Sequence, residues 1–291
     1  MKSIAFLGRT NAGKSTLINC LVNNQIAAIS DKVHTTRIPL QGILHLDKEK
    51  WMLLDAPGLC RPRSILDKIM FQNLVRVVEN SNLVWLVVDI DEHWGPDMKI
   101  LLDLIKKKSK PTVLVINKTD LKTPEEIMQK IQNWKDFYSF DAIVPISAKK
   151  KHNIANLIQA TKKNLSNIKK SSLKMQNSSL LEISKEIIRE QILLQTNEEI
   201  PHQTALLLEE KKSTASGYVL FWKIIVNRNS QKIILIGKKG SKIANIRKTS
   251  EMKLSQIWKQ QIVLSFFVEV EPKWFQNKVI LQKLKFEWEK T

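Results

Sequence analysis

The sequence predicts an α/β fold over residues 1–166, with a mainly parallel sheet and one antiparallel strand, and a separate α+β domain over 180–291. Three observations predict this. Short apolar runs alternate with helix-period segments as far as residue 165. The alternation breaks in the polar, aperiodic stretch "SNIKKSSLKMQNSS" (166–179), so that 167–179 is expected to be an inter-domain linker. Beyond it the elements follow a different order: helix, two strands, glycine loop, long helix, strand.

In the first part the strand-like runs are "SIAFLG" (3–8), "WMLLD" (51–55), "LVWLVVD" (83–89), "TVLVIN" (112–117) and "AIVPIS" (142–147). Helical periods at 14–23, 66–80, 98–107, 125–135 and 153–165 separate most of them. Brief, continuously apolar strands that alternate with helices belong in a parallel sheet covered on both faces. The polar "HLDKEK" (45–50) between two apolar runs predicts one hairpin, which supplies the antiparallel strand. In the second part a helix is expected over 180–195, strands over 203–210, 218–228 and 262–271, and a helix over 241–260.

At 291 residues the chain is long enough for both domains, and its net charge of +19 favours an anionic partner, nucleic acid or an acidic membrane surface, unless it is compositional drift toward lysine. Cys20 and Cys60 make no disulfide framework and no metal-ligand pair, which fits a reducing cytoplasm. The five histidines have no metal-ligand spacing either. No signal or transit segment is read at the start, and no run of about eighteen apolar residues is available to span a bilayer.

"GRTNAGKS" (8–15) fits G-x-x-x-x-G-K-[ST] between a strand and a helix. Gly8 and Gly13 let the backbone wrap a phosphate, and the helix that starts at Lys14 offers free N–H groups and the positive end of its dipole. Lys14 would reach the β- and γ-phosphates, and the Ser15 hydroxyl suits Mg²⁺. "NKTD" (117–120) selects the base. It lies at the carboxyl end of a strand, where open α/β sheets bind ligands. Asp120 can accept both guanine N1–H and its 2-amino group, a pattern adenine lacks. Asn117 and Lys118 would brace the loop and cover the base, and "SAK" (Ser147, Ala148, Lys149) would place amides near the guanine oxygen. In "DAPG" (55–58), Asp55 would hold Mg²⁺ through a water and the Gly58 amide would touch the γ-phosphate. In "DKVHTTR" (31–37), Thr36, with Thr35 as second choice, would close over Mg²⁺ while the γ-phosphate is present, making an order–disorder switch.

Five motifs in this order, with "TTR" in the first switch, resemble the translation-factor-related GTPases and the branch containing Era in particular. The resemblance extends through "REQILLQTNEEIPHQT" (189–204) and the second part of the chain. It implies a GTPase domain followed by a KH domain, GTP/GDP and Mg²⁺ as ligands, a monomer, and a role in small-subunit ribosome assembly. It further implies nucleotide contacts from Gly8, Asn11, Ala12, Gly13, Lys14, Ser15, Thr16, Asp55, Gly58, Asn117, Lys118, Asp120, Ser147, Ala148 and Lys149. Catalytic roles would fall to Lys14, Asn11, Thr36 and Gly58, and metal ligation to Ser15, Thr36 and Asp55. The position after D-x-x-G, where many GTPases carry a water-orienting glutamine, is Leu59, so slow intrinsic turnover is expected. Related GTPases with asparagine at the place of Asn11 use it to bind K⁺; otherwise Asn11 caps or fills the loop. Thr10 and Cys60 depart from the proline and histidine usual in the family.

"IGKKGSKI" (236–243) is G-x-x-G before a helical period, with lysine at both variable positions. Around it, residues 211–259 hold twelve Lys/Arg and one acid, Glu251. A glycine loop entering a helix can bring amides to phosphate. The segment looks like a KH domain of the bacterial type, whose loop clamps single-stranded RNA, so Gly237, Lys238, Lys239, Gly240 and Lys242 are the expected RNA contacts. Locally "QKIILIG" reads as a strand, whereas the family makes it a short helix, and the helix is preferred. By resemblance the RNA is the 3′ region of 16S rRNA in the 30S subunit. Trp258 and Trp274 are expected in the core rather than on RNA. Two other readings stay open: a binding protein in which hydrolysis is incidental, and a GTPase bound peripherally to the inner face of the cell membrane.

Overall fold

The computed structural model describes residues 1–9, 11–22, 40–46, 49–59, 64–166, 180–196 and 203–284. The expected switch threonines Thr35 and Thr36, the departures Thr10 and Cys60, and the expected linker 167–179 lie outside them. By contacts the chain forms two compact units, one of Met1–Cys60 with Met70–Ser178 and one of Arg61–Ile69 with Ser179–Thr291.

The first unit runs β1 (Lys2–Leu7), α1 (Lys14–Val22), β2 (Leu40–His45), β3 (Lys50–Asp55), α2 (Ile65–Asn80, in this unit from Met70 on), β4 (Leu83–Asp89), α3 (Pro96–Lys107), β5 (Thr112–Asn117), α4 (Pro124–Lys135), β6 (Ala142–Pro145) and α5 (Ile154–Leu165). Its sheet has the order β2-β3-β1-β4-β5-β6, parallel throughout except for β2 against β3. β2 and β3 pair as the expected hairpin, and the Leu46 N–H donates to the Glu49 carbonyl at 2.9 Å.

Strand side chains alternate between two cores, which is why the strands read as unbroken apolar runs. Ala5, Leu7, Leu86 and Val88 pack with Val78 of α2, Leu101 and Ile105 of α3 and Trp134 of α4. Ile4, Phe6, Trp85 and Val87 pack on the other face with Leu17 and Ile18 of α1 and Leu157 of α5. There the buried Trp85 indole donates to the Thr161 hydroxyl at 2.9 Å, so that a polar group in the core is satisfied. α4 starts at a capping box in which Thr123 and Glu126 satisfy each other's free N–H groups. This architecture brings the carboxyl ends of β1, β3, β4 and β5 to one edge, and register sets Asp89 beside Asn117 and Phe6 beside Asp55.

The second unit runs α6 (Leu180–Gln195), β7 (Ala205–Thr214), β8 (Gly217–Val226), α7 (Asn229–Ile236), α8 (Ser241–Trp258), β9 (Gln261–Val270) and α9 (Lys278–Lys283). β7 and β8 form an antiparallel hairpin, and β9 pairs with β8 in parallel. A parallel pair needs a crossover, and α7, the glycine loop and α8 supply it. Leu220, Trp222, Ile224 and Val226 alternate toward the helices, where Ile246, Leu254 and Trp258 of α8 are buried. Ile243 and Ile257 are only half-buried, because the buried stripe advances as 246, 250, 254, 258. Trp274 is fully buried and its indole donates to the Gln203 carbonyl at 2.8 Å. α9, capped by Asn277, is additional to the elements expected from the sequence.

Candidate functional site

The loop between β1 and α1 is fixed by two close approaches. A Cβ on Gly8, at φ +145, would lie 2.1 Å from the Val87 carbonyl oxygen of β4. One on Gly13, at φ +91, would lie 2.1 Å from the Asn117 side-chain nitrogen. Only glycine fits either place, for backbone angle and for space. Asn11 adopts φ 68 and is exposed, while Ala12 is buried in the core.

Asn117 sits at the end of β5, almost wholly buried. Its amide donates to the Ala12 carbonyl at 3.0 Å, and its oxygen accepts from the Ala148 N–H at 3.0 Å. One side chain thus joins the glycine loop, the "NKTD" segment and the "SAK" segment. The Thr119 N–H donates to the Ile146 carbonyl at 3.1 Å and holds the last two together again. Lys118, in the left-handed region at φ 64, pairs with Asp89 at 2.6 Å. Asp120 is exposed, and a hydrogen bond with Ser147 holds its carboxyl below the usual aspartate range. It is therefore an ionised acceptor pair open to a ligand. Lys149 is exposed, and the Ser147 hydroxyl accepts from the Lys150 N–H at 3.1 Å.

Lys14 is buried and donates to the carbonyls of Gly8 at 3.1 Å and Arg9 at 2.8 Å. Burial pulls its pKa below the ordinary lysine value, against the attraction of Asp55 and Glu92. The Ser15 hydroxyl donates to Asp55 at 3.2 Å. A hydroxyl and a carboxylate meeting at one point form an oxygen donor set suited to Mg²⁺. Thr16 lies half-buried on the first turn of α1. Gly58 is buried, and Leu59, 9 % exposed, packs into the core with Leu54 and Val88. Its side chain cannot orient a water.

Sequence reading missed Asp89, Arg9 and Glu92. Glu92 is buried behind the glycine loop, 3.7 Å from the Arg9 guanidinium, which stands 3.7 Å from Asp97 as well. Asp89 carried a signal, since it ends the strand next to β5; Glu92 carried none, because its pairing with Arg9 is tertiary.

In the second unit "QKIILIG" is helix α7, and the glycine loop follows it as a 3-10 turn over Lys238–Gly240. A Cβ on Gly237, at φ +74, would lie 2.7 Å from the Lys242 Cβ. Lys238 and Lys239 are exposed and Lys242 is half-buried. The surrounding positive charge is smaller than the local sequence suggests. Lys212 pairs with Glu210 at 3.3 Å, Lys253 with Glu190 at 3.0 Å, and Lys223 with both Glu209 and Glu269 at 2.8 and 2.7 Å. Lys238, Lys239, Lys242, Arg247 and Lys248 have no ion pair among the described residues, and they cluster on the loop and the start of α8. Ile233 and Phe267 add exposed apolar surface, at 64 % and 61 %.

Residues 3–118 match the family model of the 50S ribosome-binding GTPases, and residues 199–275 match that of the KH domain. The chain is 31% identical over 290 residues to GTPase Era of Heliobacterium modesticaldum, covering 98% of this chain and 96% of that protein. It is 31% identical over 288 residues to GTPase Era of Geobacter metallireducens, at 97% and 96% coverage. A crystal structure of a point variant of Aquifex aeolicus Era bound to GDP·AlF4⁻ matches with a TM-score of 0.90 at 29% identity, over 99% of this chain and 100% of that one. A structure of Era in complex with MgGDPNP and nucleotides 1506–1542 of 16S ribosomal RNA matches with a TM-score of 0.90 at 28% identity, over 99% of each chain. With the glycine loop, the guanine-type motif and the G-x-x-G turn all carried on the matching folds, the chain belongs to the Era family of GTPases.

Proposed function

We propose that this GTPase is a switch in 30S subunit assembly that binds the 3′ region of 16S rRNA through its KH domain. The observation that carries the nucleotide half is the position of Asn117, which holds the phosphate-type loop, the guanine-type loop and the "SAK" turn as one site. The loop amides and Lys14 bind the phosphates. To do so, the Lys14 ammonium leaves the Gly8 and Arg9 carbonyls for a stronger anionic partner. Asp120 accepts from the guanine edge, and the Lys149 amide, beside the Ala148 N–H held by Asn117, is offered to the guanine oxygen.

Ser15 would hold Mg²⁺ directly and Asp55 through a water, and Thr36 would be the ligand added in the GTP state. When bound, the ion neutralises phosphate charge. Leu59 leaves the attacking water without a positioning side chain, so the glycine loop has to supply what is missing. Asn11, exposed on the glycine loop, is the candidate: a K⁺ held by its side chain would add positive charge to the transition state. The unpaired lysines of the G-x-x-G loop and of α8 clamp RNA phosphates, which assigns the chain's positive charge to RNA rather than to a membrane surface. No described helix is long and apolar enough to cross a membrane, and a monomer working in the cytoplasm suffices for this role.

A second reading is favoured by the burial of Leu59: nucleotide acts as a structural ligand and hydrolysis is incidental. Single-turnover GTP hydrolysis with and without an RNA of the 16S 3′ end, in K⁺ and in Na⁺, separates the two. Stimulation by RNA or K⁺ supports the switch. A rate unmoved by either supports the structural ligand.

A further inference from the structure

A cavity of about 310 Å³ opens in the first unit between the loop after β4 and the end of α4. That is the low end of the size range of ligand sites, enough for one large side chain. It is walled by aromatic rings. Trp94 and Phe137 stack face to face, 4.5 Å apart and 6° from parallel, and Trp134 meets both edge-on at 6.3 and 6.2 Å. Trp134 is buried and structural, but Trp94 is 36 % and Phe137 46 % exposed. Two large rings stacked on each other at a surface leave outer faces that attract a cation or a planar group.

The charges around the cavity select the cation. Two carboxylates, Glu92 and Asp136, line it, against one lysine, Lys130, and the imidazole of His93. Burial pulls the Lys130 pKa below the ordinary lysine value, against the attraction of Asp91, Glu92 and Asp89, which weakens it as a competing cation. The Glu92 side chain is only 6 % exposed, and its Oε1 accepts no hydrogen bond; the Arg9 guanidinium at 3.7 Å is a long-range partner only. The Glu92 Oε2 accepts from the Asp89 N–H at 3.4 Å, and burial raises the Glu92 pKa despite that bond and the charges of Arg9 and Lys14. On a chain of net charge +19 this is a local reversal of sign.

We propose that this cavity receives the arginine side chain of a basic protein segment, its guanidinium stacked on the Trp94–Phe137 pair and facing the Glu92 and Asp136 carboxylates. Arginine fits better than lysine because its charge is delocalised over a plane that stacks on indole and is only weakly hydrated. The carboxylate it would meet is also the one beside Arg9, so the occupant would sit next to the phosphate-type loop. This assignment does not depend on what the nucleotide or RNA sites bind.

The probe is a short peptide of alternating glycine and arginine, titrated into the full chain labelled with 5-fluorotryptophan. The Trp94 resonance is identified by its loss in Trp94→Phe. A saturable Trp94 shift is expected, at least fivefold weaker with the matching citrulline peptide and at least fivefold weaker in Glu92→Gln. Asp136→Asn, at an exposed position, gives the same test if Glu92→Gln folds poorly. No saturable shift, an equal shift with citrulline, or a shift that survives both carboxylate variants overturns the proposal. So does a shift produced by oligo(A) and not by the arginine peptide, which would make the rings a base-stacking surface for RNA.

Discussion

A Cβ on Gly13 would stand 2.1 Å from the Asn117 side-chain nitrogen, so the phosphate-type loop and the base-type loop press on each other through a contact that only glycine permits. Gly13→Ala is therefore expected to damage both ends of the nucleotide site at once. Asn117→Ala should do so as well, and should also destabilise the free protein. It leaves the Ala12 carbonyl and the Ala148 N–H, both in buried surroundings, without partners, a loss of about 2 kcal/mol or more. Thermal unfolding of the nucleotide-free protein checks this; an unchanged midpoint would show that Asn117 is not a structural tie.

Asp120 should behave in the opposite way. It is exposed, so Asp120→Asn should leave unfolding of the free protein unchanged while weakening GTP by about 3 kcal/mol, as an acceptor facing guanine's donors becomes a donor. Affinity for xanthine nucleotides should rise. Equal GTP affinity in variant and parent would remove the guanine assignment.

Much of this site is legible in the sequence because its parts are local. Gly8, Gly13, Lys14 and Ser15 have fixed spacing, and the strand before and helix after them follow from hydrophobic period. What is tertiary is not legible. Glu92 pairs with Arg9 across more than eighty residues and belongs to no pattern. Lys223 looks like part of an RNA-binding charge, yet Glu209 and Glu269 flank it across two strands. "QKIILI" has the β-branched content of a strand but is helical, since the crossover between β8 and β9 needs a helix there and buries only Gln231 and Leu235 of it. Local preference lost to topology.

Potassium dependence should run through Asn11. Turnover in K⁺ should exceed turnover in Na⁺ by about tenfold or more, the effect of one added charge worth about 1.4 kcal/mol in the barrier. Asn11→Ala should abolish the difference while GTP affinity stays within a few-fold. Equal rates in both salts would favour nucleotide as a structural ligand.

Glu92 should leave a signature in the pH dependence of stability. Burial raises its folded-state pKa above the ordinary value of 4.5. The protonated form thus folds more favourably than the charged one, and the contribution of this group is full below pH 4.5 and lost as pH rises through the raised pKa. Glu92→Gln has no such loss. The midpoint of the variant relative to the parent should therefore increase from pH 4 toward pH 7, and a flat difference would mean that Arg9 compensates the charge in full.

RNA binding should rest on the G-x-x-G turn. Gly240 is at φ +77 with open space around its Cβ direction, so Gly240→Asp has room but places a negative charge where a phosphate must approach. RNA affinity should collapse with a stability cost of only about 1–2 kcal/mol for the left-handed backbone. Lys238→Ala and Lys239→Ala should each flatten the salt dependence by roughly one unit of log–log slope. An unchanged slope would place the phosphate contacts elsewhere.

The affinity of the full chain for an RNA of the 16S 3′ end, measured with a non-hydrolysable GTP analogue and again with GDP, decides whether this GTPase is a switch. Coupled sites typically differ by about 1–3 kcal/mol, roughly 5- to 150-fold, and tighter binding in the GTP state is expected. Equal affinity in the two nucleotide states would contradict it and leave two domains that share a chain without sharing a signal.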